Sequence, residues 1–257
     1  MGRYLKLYIS ELIGTFMFVG IGLGSVAAMV LGMSDISYSF MALAWGIAIA
    51  LAIYLTGSIS GAHMNPAVTL AMVVWSGFDK KKAVSYIIAQ IIGAFLAAAL
   101  VYFLFSSKIV ALEEMNGWTR GTDGGNGLME IFVTSAAEGV SFVKAFIVEI
   151  INTMVLVLTI YAVTDKKNAS APNPGLAAIM IGISVTLCGM AFGPLTGFAM
   201  NTARDLGPRL FVAIAGWGKF AWGNNLYGLI VPAFAPIVGG ILAGGIYTKV
   251  ICRFREN

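Results

Sequence analysis

The chain carries one short phrase twice. Residues 60–70 (SGAHMNPAVTL) and 196–206 (TGFAMNTARDL) align without a gap, agree at Gly, Met, Asn, Ala and Leu, and set Ser60 opposite Thr196. Each copy reads as a loop running into a helix, because asparagine is among the strongest N-caps and Pro66 stands where a first helical residue belongs. Two copies of one helix start, at Asn65 and Asn201, are therefore required by whatever this chain does. The pieces that follow, Pro66–Trp75 and 202–215, are apolar and short. At ~1.5 Å per residue a ten-residue helix reaches about 15 Å, half of the ~30 Å hydrocarbon core of a bilayer.

A bilayer is the right yardstick because 59% of the residues are hydrophobic, the mean hydropathy is +0.88 and only 11% are charged. A soluble domain carries about 25% charge. Longer apolar runs occur at 5–31, 39–55, 83–105, 142–163, 176–191 and 227–250, which predicts six spans. The order span, span, half-helix, span occurs over 5–105 and again over 142–250. An odd number of crossings in each half turns the second half upside down. The expected fold is an all-α membrane protein, one domain over 1–257, with six transmembrane helices and two re-entrant half-helices in an inverted repeat. Half-helices leave end N–H groups that lipid cannot satisfy, and broken backbone survives only where protein surrounds it or it lines a wet cavity. A cavity at the meeting point is thus predicted.

Charge placement sets an expected orientation. Arg3, Lys6, Lys80, Lys81, Lys82, Lys166, Lys167, Lys249, Arg253 and Arg255 fall on the side of both termini, leaving Lys108, Arg120, Lys144, Arg209 and Lys219 on or near the other. By the positive-inside rule both termini are cytoplasmic, in a plasma or inner membrane. The stretch 106–141, with Glu113, Glu114, Asp123, Glu130, Glu138 and a glycine-rich knot at 121–127, is then an external loop, expected to do no more than cover a vestibule. Glycines at 20, 24, 93, 182, 189, 193, 240 and 244 suit close helix packing. Cys188 and Cys252 have neither a plausible disulfide geometry nor metal-ligand company, and no basic, aromatic patch suggests nucleic acid. The first apolar run is too long for a cleaved signal and reads as a retained span.

The chemistry lies in the repeated windows. Two helix N-termini meeting at the membrane centre place about half a positive charge each beside the cavity, which repels protons and metal ions and admits neutral solutes. Side-chain carbonyls of Asn65 and Asn201 capping their own helices would hold both amide NH2 groups as donors to the lumen. Arg204, a charge in an otherwise apolar half-helix, is costly unless it faces water, and a pair with adjacent Asp205 is poorly placed because neighbours on a helix point about 100° apart. Glu11 and Glu149 occupy equivalent places in the two halves and are expected to accept loop N–H groups rather than relay protons. His63, the only histidine, is expected to brace its loop. The carbonyls of Gly61, Ala62, His63 and Met64, and of Phe198, Ala199 and Met200, remain as pore acceptors. No catalytic or metal constellation appears, and no cofactor is implied.

With six spans, two half-helices and the signatures Asn65-Pro66-Ala67 and Asn201-Thr202-Ala203, the chain resembles the aquaporins, or major intrinsic proteins, over nearly its whole length. The fragments GAHMNPAVT and GPLTGFAMN-x-ARD-x-GP are similar to those of bacterial glycerol facilitators, the aquaglyceroporin branch, which Asp205 also marks. The resemblance implies an aquaporin-like right-handed bundle, a homotetramer in the lipid bilayer with one pore per subunit, and a passive channel for glycerol, other small polyols and water. It also implies a selectivity filter of Trp45, Gly189, Phe198 and Arg204, found twenty residues before Asn65 and twelve before, three before and three after Asn201. The sequence departs from the family at Thr202, where proline is usual, so a looser start to the second half-helix is expected. A water-selective pore and, further off, a secondary transporter are the competing readings.

Overall fold

The structure, a computed structural model, describes residues 3–122 and 124–256; Asp123 and the side chains of Arg3 and Glu256 lie outside that description. Eight helices carry the architecture: α1 (Arg3–Val30), α2 (Tyr38–Ser60), α3 (Pro66–Trp75), α4 (Lys80–Asn116), α5 (Phe142–Thr164), α6 (Pro174–Thr196), α7 (Thr202–Val212) and α8 (Tyr227–Ile246). Among the described residues six segments are long and apolar enough to cross a membrane, and α3 is a short apolar helix of ten residues. Cys188 and Cys252 are free thiols.

The halves pack alike. α1 lies against α2 and α4 as α5 lies against α6 and α8, while each half-helix packs on the last span of the opposite half, α3 on α8 and α7 on α4. Without a hydrophobic force between helices in lipid, close backbone approach does the packing. The repeat shows in those approaches. A Cβ on Gly46 would stand 2.3 Å from the Gly182 carbonyl oxygen, and one on Gly182 would stand 2.4 Å from that of Gly46. Gly93 meets the Leu12 carbonyl as Gly239 meets that of Ile150, and Gly240 meets the Ala67 carbonyl as Gly207 meets that of Ile91. Gly24 differs from expectation, having open space where a packing partner was predicted.

Hydropathy misplaced several helix ends. α4 continues 11 residues beyond the predicted limit of 105, to Asn116, and so takes up the start of the supposed loop. At ~1.5 Å per residue its 37 residues reach about 55 Å, well past the hydrocarbon. Its polar end is fixed by Glu113, which pairs with Arg120 through two bonds of 2.6 and 2.8 Å; Arg120 also donates to Tyr102 Oη and lies 4.5 Å over the Trp217 ring. Paired with that carboxylate, the Arg120 guanidinium is held above its ordinary pKa. Residues 106–116 thus extend α4 rather than begin a loop. α7 widens after Val212 into a π-helical turn over Ala213–Trp217, and its backbone first leaves helical geometry at Gly216 (φ 110°), beside the expected limit of 215.

Arg209 also departs from its sequence reading as an interfacial charge. It is 1% exposed and bonds Asp205 and the carbonyls of Thr134 and Ala221, so it belongs to the interior.

At the Gly46–Gly182 crossing an added methyl has nowhere to go, and overpacking of this kind costs ~1–3 kcal/mol. Gly46→Ala is expected to lower the thermal midpoint in detergent by several degrees, whereas Gly24→Ala leaves it unchanged. Equal midpoints for the two variants would refute the crossing as described.

A cavity built on two mirrored loops

α2 and α6 both stop inside the molecule, and their last residues hand over to matching loops. Gly61 (φ 88°) and Gly197 (φ 77°) cap the two helices in the left-handed region, each returning its N–H to the carbonyl four residues back, at 3.0 and 2.7 Å. The unusual part comes next. Ala62, Met64, Phe198 and Met200 all have φ between 41° and 54°. Left-handed backbone costs a side-chain-bearing residue ~1–2 kcal/mol, so something must impose it four times.

Two carboxylates impose it. Glu11 Oε1 accepts from the His63 N–H at 2.9 Å and Ser60 Oγ at 2.6 Å, while Oε2 accepts from the Met64 N–H at 2.6 Å and Gln90 Nε2 at 2.7 Å. Glu149 repeats the pattern: Oε1 accepts from Thr196 Oγ1 at 2.6 Å and the Ala199 N–H at 3.0 Å, and Oε2 from the Met200 N–H at 2.8 Å. Both carboxylates are 0% exposed. Removing one from water is expensive, and three or four charge-assisted bonds at ~1.5–3 kcal/mol each offset that cost. With loop N–H groups turned to the carboxylates, the carbonyls are left for the other side.

Beyond the loops the half-helices start. Asn65 Oδ1 accepts from the Ala67 N–H at 2.9 Å; Asn201 Oδ1 accepts from Ala203 and Arg204 N–H groups at 2.9 and 3.2 Å. Their amides were expected to be held as donors toward the lumen, and the structure commits one N–H of each to the opposite loop. Asn65 Nδ2 donates to the Met200 carbonyl at 2.9 Å and Asn201 Nδ2 to the Met64 carbonyl at 2.8 Å. Each amide therefore keeps one N–H uncommitted, and those two carbonyls are engaged by side chains rather than standing open. The reciprocal bond also makes the ends of α3 and α7 face each other, as two opposed dipoles require a wet or protein-lined gap.

Where a looser helix start was expected, Thr202 is 7% exposed and its hydroxyl donates to the Ala233 carbonyl of α8 at 2.7 Å, a tether that proline lacks. His63 Nδ1 sits 3.2 Å from Thr69 Oγ1, and its ring packs 4.7 Å from Phe78 and 5.3 Å from Tyr86. Asp205 accepts from the Thr134 N–H and hydroxyl at 2.8 and 2.6 Å and pairs with Arg209, which ties residue 134 to α7.

A cavity of ≈ 800 Å³ runs past both loops and both asparagines, from Trp45, Phe198 and Arg204 to Asp165 and Lys166 in the α5–α6 turn. At that second end the Arg255 guanidinium beside Asp165 holds its carboxyl below the usual carboxylate range. At the first end the Trp45 and Phe198 rings meet edge to face at 6.3 Å, and the Arg204 guanidinium lies 4.4 Å over Trp45. Arg204 forms no ion pair among the described residues, and its Nη1 is buried without a partner. Asp205, its sequence neighbour, is spent on Arg209. Gly189 stands behind the aromatic corner: a Cβ there would lie 3.2 Å from the Phe198 ring and 3.0 Å from Ala42, so a side chain at 189 acts by displacing Phe198.

Ser60, Thr196, Gln90 and Thr134 were not singled out from the sequence. The Ser60–Thr196 match inside the repeated windows was the available signal for the first two; Gln90 offered only an amide in an apolar run, and Thr134 none.

The chain is similar to known proteins over nearly its whole length. The family model "Major intrinsic protein" matches residues 2–247. The chain is 40% identical over 247 residues to the glycerol uptake facilitator protein of Pseudomonas aeruginosa, covering 95% of this chain and 88% of that one. The propanediol uptake facilitator of Salmonella typhimurium is 41% identical over 244 residues, covering 94% and 92%. Among solved structures, the aquaglyceroporin from Plasmodium falciparum superposes with a TM-score of 0.86 at 30% identity, over 98% and 99% of the two chains.

Glutamine in place of Glu149 offers one acceptor oxygen and turns a donor toward a loop N–H. Such a buried mismatch costs ~1–3 kcal/mol. Glu149→Gln is expected to lower the thermal midpoint and the solute flux per folded molecule, with no pH-coupled transport gained. A variant of unchanged midpoint and flux would show that the carboxylate does not hold the loop.

Proposed function

This chain belongs to the major intrinsic protein family, and from that premise we propose how its cavity conducts and selects. It is a channel for glycerol and other small uncharged solutes, not an enzyme. The observation that carries the selective step is the corner of Trp45, Phe198 and Arg204: two apolar rings beside a buried cation with an unpartnered Nη1. A polyol has an edge of C–H groups and an edge of hydroxyls. In this reading the C–H edge slides along Trp45 and Phe198 while Arg204 donates to the hydroxyls, replacing water that the solute sheds. Gly189 keeps the width by leaving Phe198 its place.

Inward of that corner, the free carbonyls of Phe198 and Ala199, and then of Gly61, Ala62 and His63, accept from the solute. The uncommitted N–H groups of Asn65 and Asn201 donate to one solute oxygen between them. Cations and protons are turned back by the opposed N-termini of α3 and α7 together with Arg204, since charge repels charge strongly where dielectric screening is low. Water passes with the solute. Glu11, Glu149 and Asp205 support the loops and touch no solute. The protein works as a homotetramer of independent pores in the plasma or inner membrane with cytoplasmic termini; the removal of Arg209 from the outer charge count favours that orientation further.

Stopped-flow light scattering of reconstituted vesicles is the decisive test. Rapid shrinkage and then reswelling in a glycerol gradient are expected; water flux without reswelling would overturn the polyol assignment in favour of a water-selective pore. Gly189→Phe is expected to lose glycerol flux before water flux. Arg204→Val is expected to raise the proton leak measured with an internal pH dye, and an unchanged leak and solute order would remove Arg204 from the filter.

A further inference from the structure

At the end of the pore cavity opposite the Trp45–Phe198–Arg204 corner lies a second cavity, of ≈ 540 Å³, which no step above uses. Met72, Thr164 and Asp165 line both, so these three residues are the wall between the pore and its neighbour. The far side of the second cavity is formed by the segment after α8. Past Ile246 the helix widens into a π-helical turn, Tyr247–Ile251, and closes with a short helix, α9 (Cys252–Glu256). Tyr247, Thr248, Cys252 and Arg255 of this arm face the cavity.

Asp165 joins the arm to the pore. Its Oδ1 accepts from the Lys167 N–H at 2.9 Å and its backbone carbonyl from the Asn168 N–H at 3.0 Å. These bonds fix the start of the turn that lines the pore mouth with Lys166, Ala171 and Pro172. Its Oδ2 is given to the arm, where Arg255 Nη2 donates at 2.5 Å and Tyr247 Oη at 3.0 Å. The arm reaches the half-helix as well: the Tyr247 ring lies 5.5 Å from that of Tyr161, whose hydroxyl bonds Ser76 Oγ at 3.0 Å and the Ala71 carbonyl at 3.2 Å, at the end of α3. The inverted repeat does not account for this. By the matched glycine approaches, Asp165 and Tyr247 correspond in the first half to Ala27 and Val101, two buried apolar residues.

We propose that the arm is a strap on this mouth of the pore: with Arg255 on Asp165 the turn is held back and the path is open, and with the pair broken the turn leans into the mouth and slows passage. This rests on the channel reading above. The two side chains of the pair are 30% and 20% exposed, so dissolved ions reach it. The screening length falls from ~10 Å at 0.1 M salt to ~3 Å at 1 M, and the strap therefore loosens as salt on its own side rises. A channel built this way narrows when the compartment behind this mouth becomes more concentrated. The selective corner is at the other end, so glycerol and water slow together.

Arg255→Gln removes the charge and Arg255→Lys keeps it. Glycerol and water permeabilities are measured in reconstituted vesicles with KCl equal on both sides, at about 0.05 M and again at about 0.5 M, alongside thermal midpoints in detergent. At low salt Arg255→Gln is expected to lower both permeabilities about two- to fivefold, the range over which one exposed ion pair shifts an equilibrium, at an unchanged ratio and midpoint. Arg255→Lys is expected to keep wild-type flux. High salt is expected to bring the wild type down to the Arg255→Gln level and to leave that variant where it was. Unchanged flux in Arg255→Gln, a changed glycerol-to-water ratio, a lowered midpoint, or a wild type indifferent to salt would each overturn the strap. A wild type that passes no glycerol at either salt would instead bring down the channel reading on which this one stands.

Discussion

Hydrogen bonds from two buried carboxylates to two strained loops are the interactions on which the remaining structure depends. A helix broken in mid-membrane exposes backbone groups that lipid cannot bond, and this chain breaks two. Glu11 and Glu149 settle the N–H side of that debt, and the Asn65 and Asn201 side chains settle the first N–H groups of α3 and α7. Only then are four non-glycine residues affordable in the left-handed region. The direction of the free carbonyls is a by-product of where the N–H groups are held, so conduction is built from the same bonds as stability.

α7 shows how three charges in six residues can be divided. Asp205 and Arg209 neutralise each other in a fully buried pair that also grips Thr134 and Ala221, and so join a half-helix to the chain at residues 134 and 221. Arg204 is left out of that pair. Its position on the helix face toward the cavity keeps it charged and unpartnered among protein groups, which is the state a donor to passing solute needs.

Most of the fold was legible in the sequence because bilayer thickness is a hard ruler: six long apolar runs and two pieces too short to span admit few arrangements, and the repeat set their relative sense. Helix ends were less legible. Hydropathy reports where lipid ends, while α4 runs on to Asn116 because Glu113, Arg120, Tyr102 and Trp217 hold it, and those contacts join residues far apart in sequence. The loop-bracing carboxylates were readable from equivalent placement in the two halves. The mutual engagement of the asparagines was not, since a capping residue looks the same in sequence whether its amide is free or bonded across the molecule. Thr202 was read from what it lacks relative to proline; its hydroxyl bond to Ala233 depends on α8, which no local pattern reveals.

The exchanged bonds from Asn65 to the Met200 carbonyl and from Asn201 to that of Met64 have a historical side. Each repeat is completed by a group from the other, so neither half is a finished object alone. An ancestor with a single repeat would have had to pair with an inverted copy of itself, using one sequence for both sides of this contact. In one chain the two sides are free to differ in sequence but not independently of each other. A substitution that shifts one loop is felt first by the asparagine of the opposite half, so the repeats are bound to drift as partners.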